Sequence, residues 1–62
     1  MASADHLPEF LSVAEIAGSL SVAEVTVRRW LHAGDLPAVK AGRAFRVRRQ
    51  DFERWLDERR VD

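Results

Sequence analysis

The sequence predicts a mostly α-helical domain, three short helices with one small two-stranded β-hairpin, and three observations carry that expectation. Apolar residues recur at helical spacing in three stretches, Val13 to Leu20, Val27 to Leu31 and Phe52 to Leu56. Between the last two, Val39, Phe45 and Val47 alternate with polar neighbours around Gly42, the pattern of a hairpin. The chain has 62 residues and no cysteine, which permits one domain with a small core and no disulfide framework.

Residues 1–10 have no periodicity and include Pro8, so they read as a flexible N-terminal arm before a domain at 11–58 and a short C-terminal tail at 59–62. The first helix begins at a capping box, Ser12 with Glu15 three residues on, and Leu11 and Ile16 form a hydrophobic staple across it. Val13, Ile16, Ala17 and Leu20 make its apolar stripe, which ends near Leu20. The pentapeptide LSVAE occurs at 11–15 and again at 20–24, but the second copy straddles a helix end, a tight turn and the next helix start. Ser21 and Glu24 repeat the capping spacing, so the second helix starts at either Val22 or Glu24. Its buried side is expected to hold Val27, Trp30 and Leu31, and it closes at Gly34.

Two short helices joined by about three residues form a helix-turn-helix. Pro37 prevents helix continuation, and the following hairpin is read with Val39, Phe45 and Val47 inward. Alternation then places Lys40, Arg46 and Arg48 outward, with Arg43 at the tip. A third helix runs from about Arg49 to Arg60 on a stripe of Phe52, Trp55 and Leu56. With the hairpin as a wing, the expected fold is a winged helix-turn-helix.

The formal net charge is zero, yet the charges are sorted. Residues 1–24 carry −4, residues 28–49 carry +6 and residues 50–62 carry −2. No apolar stretch approaches the ~20 residues that cross a bilayer, and the acidic N-terminus lacks the basic start of a secretory signal. A cytoplasmic protein is expected. His6 and His32 have no partner ligands, so no metal is expected, and no cofactor motif appears. The acids of the third helix alternate with arginines as in ordinary surface ion pairs, and no catalytic constellation is visible, so an enzyme is not expected.

The exposed side of the second helix collects Val25, Arg28, Arg29 and His32, with Thr26 at its boundary. Such a helix suits the DNA major groove, where arginine contacts guanine and small apolar groups meet the thymine methyl. His32 in the last turn sits where a cation is favoured by the helix dipole and is read as a surface or phosphate-contacting residue. The wing cations Lys40, Arg43, Arg46 and Arg48 follow directly and can reach phosphates or the minor groove. These nine residues form the candidate DNA-binding set.

The chain resembles the excisionase-type DNA-binding family, a compact winged helix-turn-helix related to the MerR DNA-binding domain, over roughly residues 11–57. The resemblance lies in Glu15 with Ala17 and Leu20, Thr26-Val27, Arg29-Trp30, Gly34-Asp35-Leu36-Pro37, Gly42-Arg43, Arg46-Val47, Asp51-Phe52 and Trp55-Leu56. Two residues depart from the pattern: Ser21 where glycine is common and Ala23 where a capping residue is usual. The resemblance implies sequence-specific binding of double-stranded DNA by Thr26, Arg28 and Arg29 from the helix and by Arg43 and Arg46 from the wing. It also implies a recombination directionality factor that acts architecturally beside an integrase, or a small transcription regulator, in a prokaryotic nucleoid or encoded by a phage. The chain reads as this domain with short tails and no effector domain. A single module buries only ~600–1,000 Å² on DNA, so cooperative self-association on repeated sites is expected. An interaction module that grips an acidic protein is the alternative of another class.

Overall fold

The computed structural model describes residues 9–61. Its elements in chain order are β1 (Phe10–Ser12), α1 (Val13–Leu20), α2 (Glu24–His32), β2 (Val39–Ala41), β3 (Ala44–Arg48) and α3 (Arg49–Glu58). The fold is a winged helix-turn-helix, mostly helical, with an antiparallel sheet in the order β1-β3-β2.

Helix α1 starts as its capping box dictates. The Ser12 hydroxyl accepts from the Glu15 amide at 3.1 Å, and the Glu15 carboxylate accepts from the Ser12 amide at 2.8 Å. It ends with Ser21 in the left-handed conformation at φ 57°. The Val22 amide donates to the Ala17 carbonyl at 3.0 Å and the Ser21 amide to Gly18 at 3.3 Å, the paired bonds of a Schellman closure. Helix α2 closes the same way, with Gly34 at φ 76° supplying the left-handed residue. There the Asp35 amide reaches the Trp30 carbonyl at 3.0 Å, and the Gly34 amide reaches Leu31 at 3.1 Å. Because Ser21 is consumed in ending α1, it cannot cap α2. Helix α2 therefore starts at Glu24 behind Ala23, whose side chain makes no capping bond.

The sheet departs from the sequence reading in two ways. Residues 1–8 of the expected arm lie outside the described residues, and Phe10 to Ser12 form a third strand rather than a loose lead-in. That strand pairs Phe10 with Arg48, Leu11 with Val47 and Ser12 with Arg46. At its start the Arg49 amide donates to the Glu9 carbonyl at 2.7 Å. The second correction concerns which way β2 faces. Gly42 and Arg43 form a two-residue turn with positive φ only at Gly42, at 64°, as a type II′ hairpin requires. That turn pairs Ala41 with Ala44, Lys40 with Phe45 and Val39 with Arg46. Directly opposed residues share a face, so Lys40 lies on the side of Phe45 and Val47, and Val39 lies outward, 51% exposed.

The core comprises Val13, Ile16 and Ala17 of α1, Val27 and Leu31 of α2, Leu36 of the link, Val47 of β3, and Phe52 and Trp55 of α3. Trp30 is only half-buried, a correction to its expected interior place. It lies at the edge of the α2 stripe with its ring 4.9 Å from that of Trp55, which occupies the interior instead. Leu36, 1% exposed, is the core residue that periodicity did not reveal. The helix closure at Gly34 turns it inward.

Candidate nucleic-acid interface

At about 100° per residue, the outer side of α2 divides into two ridges behind which Val27 and Leu31 anchor the helix. One ridge is Glu24, Arg28 and His32, and the other is Val25 and Arg29. The first ridge faces the wing across a concave groove of about 490 Å³, whose far wall includes Lys40, Arg43, Phe45 and Arg46. The N-terminus of α1 closes one side of it through Val13 and Ala14.

Phe45 joins helix to wing. Its ring meets the His32 imidazole edge-on at a centroid distance of 5.3 Å, and the Lys40 ammonium lies 5.8 Å from its centre. Lys40 reaches this position because the two-residue turn puts it on the face of Phe45; the inverted reading would have pointed it away from α2. Arg46, half-buried, donates from Nη1 to the Phe45 carbonyl at 2.9 Å and borders the same groove. Arg28 is steadied by Glu24 one turn earlier, Nη2 to Oε1 at 3.2 Å. Among the described residues, Arg29 and Arg43 have no ion pair or hydrogen-bonded side-chain partner.

Of the nine candidate residues, the structure gathers Arg28, His32, Lys40, Arg43 and Arg46 around one groove. Val25, 58% exposed, and Arg29 form the outermost ridge beside it. Thr26 is half-buried at the edge of the helix. Arg48 is not part of this cluster. It pairs with Glu9 of the segment preceding β1 at 2.6 Å and lies over the Phe10 ring at 5.2 Å. Glu24 and Phe45 border the groove although sequence reasoning assigned them no site role. The i, i+4 spacing of Glu24 and Arg28 signals the first, and the register imposed by the Gly42-Arg43 turn signals the second.

A family model described as a helix-turn-helix domain matches residues 10–60, all but the ends of the chain. The chain belongs to that family. Two curated relatives of this helix-turn-helix domain come from Mycobacterium tuberculosis, strains CDC 1551/Oshkosh and H37Rv, and each is named "Putative DNA-binding protein". Each is 51% identical over 39 residues, which cover 63% of this chain and 50% of the relative. The helix-turn-helix chain thus spans about half the length of the curated relatives it matches. No solved structure matches it.

Proposed function

We propose that the domain binds double-stranded DNA in a sequence-specific manner, with α2 in the major groove and the β2–β3 turn against the flanking backbone. The observation that carries this reading is the convergence of Arg28, His32, Lys40, Arg43 and Arg46 on one groove, with Glu24 the single carboxylate lining it among the described residues. A duplex has one negative charge per ~1.7 Å of axis, so a cleft between a helix and a basic wing is complementary to it. The match to a helix-turn-helix family and the names of the mycobacterial relatives support the same reading. Within it, the role is architectural, that of an excisionase-type factor laid in several copies beside an integrase, and this finer step rests on the motif resemblance. A small transcription regulator would use the same contacts.

Selection of bound duplexes from a random pool, followed by titration over a salt series, tests the proposal. Log K should fall with log salt by about 0.9 for each phosphate neutralised, and the recovered sites should share a sequence. Recurrence of that sequence at fixed spacing supports side-by-side copies. Failure to bind any duplex at low salt would instead favour an acidic protein as the partner.

A further inference from the structure

Resting on the DNA-binding reading, the two ridges of α2 can be assigned different tasks. Val25 is 58% exposed on a helix whose outer side is otherwise polar and charged. The fold does not use it, because Val27 and Leu31 supply the anchoring. One turn later stands Arg29, exposed and without a polar side-chain partner among the described residues. The neighbouring Arg28 differs, since its guanidinium is held by Glu24 at 3.2 Å and turned to the groove shared with the wing.

We propose that the Val25–Arg29 ridge is a base-reading pair, in which Val25 meets the 5-methyl group of a pyrimidine and Arg29 the O6/N7 edge of a guanine. Arg28 and the wing cations hold the backbone. Two residues one helical turn apart are separated by ~6 Å along the axis, about two base-pair steps at ~3.4 Å, so methyl and guanine belong to one short element of the site. Val25 lies in the first turn of α2, the end of a recognition helix that meets base edges. An exposed apolar side chain gains most where a methyl group covers it. An arginine with both edges of its fork unoccupied is the one able to make a bidentate contact. Thymine and 5-methylcytosine both present the required methyl.

The test uses the DNA as the variable. Duplexes selected by the wild-type chain are remade one position at a time with uracil for thymine, 5-methylcytosine for cytosine and 7-deazaguanine for guanine. They are titrated against wild type, Val25→Ala, Arg29→Ala and Arg28→Ala. Loss of the methyl at one position should weaken wild-type binding about fourfold, the worth of one buried methylene-sized group, and leave Val25→Ala indifferent. Loss of N7 at one guanine should weaken it about 5- to 150-fold and leave Arg29→Ala indifferent. Arg28→Ala should keep both sensitivities, bind every duplex more weakly and show a shallower salt slope. The relative affinities for thymine and 5-methylcytosine identify which base supplies the methyl. Salt-dependent binding that ignores every methyl and N7 deletion overturns the pair while duplex binding stands, as does a guanine sensitivity lost in Arg28→Ala rather than Arg29→Ala. Absence of duplex binding at low salt overturns both.

Discussion

Trp30 and Trp55 touch each other, yet truncating them should have unequal consequences. Trp55 is 6% exposed, stacks on Phe52 at 6.1 Å and carries the Arg59 guanidinium 4.3 Å above its ring. Replacing a buried aromatic with alanine costs about 3–5 kcal/mol. A domain of 62 residues has a total stability of about 3–9 kcal/mol, so Trp55→Ala should lose about a third or more of it and be the most destabilised of the three variants. Trp30 is half-buried and leaves a partly open notch rather than a sealed cavity, which reduces the same truncation to about 2 kcal/mol. Trp30→Ala should therefore fold and melt about 8–16 °C lower than wild type. Trp55→Phe should be the mildest of the three. The Trp55 indole nitrogen is buried without a hydrogen-bond acceptor among the described residues, so phenylalanine removes no bond and relieves a buried donor, keeping the net change within about 1.5 kcal/mol. Urea unfolding followed by far-ultraviolet circular dichroism gives the order directly and does not rely on the tryptophan signal. Trp30→Ala as damaging as Trp55→Ala would refute the assignment of the interior to Trp55. A large loss in Trp55→Phe would refute the unbonded indole.

Three further outcomes are expected. Ser21→Gly should raise stability by about 0.5–1 kcal/mol, because a left-handed residue at φ 57° is strained for any side chain and free for glycine; an unchanged or lowered melting temperature would contradict it. Ala23→Ser supplies the capping oxygen that α2 lacks and should add about 0.5–2 kcal/mol, read from the urea midpoint at constant slope. Glu24→Gln removes the single carboxylate that lines the groove among the described residues and should tighten binding to duplexes of any sequence by up to about fivefold; weaker binding in a salt titration would show that Glu24 positions Arg28 rather than opposing phosphate.

Helix α1 was legible because its start is written in four adjacent residues, with Ser12 and Glu15 bonding each other across the cap. The wing was half legible. Apolar alternation pointed to a hairpin but placed Val39 inward, whereas the two-residue turn at Gly42-Arg43 fixes the register and puts Lys40 there instead. Turn geometry outranks hydrophobicity when a strand has three residues and its neighbour strand already provides the buried face. Strand β1 was illegible for a different reason. Its three residues double as the approach to a helix cap, and their partners Arg46 to Arg48 lie more than thirty positions away. Nothing local marks such a pairing. The grouping of the cations was not legible, because whether Arg48 joins Arg46 depends on β1 and on the carboxylate of Glu9.

That grouping also bears on how a chain of zero net charge could engage a polyanion. At physiological salt the screening length is about 8 Å, so a phosphate in the groove responds to the charges that border it far more than to the total. Those charges are Arg28, Lys40, Arg43 and Arg46 against Glu24 among the described residues, and the acids of α3 are not among them. Two of those acids are moreover engaged locally, Glu53 with Arg49 at 3.4 Å and Asp51 with Arg54 at 4.0 Å. On the proposed reading, neutrality limits long-range attraction and non-specific affinity while leaving the local field intact, so a larger share of the binding free energy must come from the base edges met by α2.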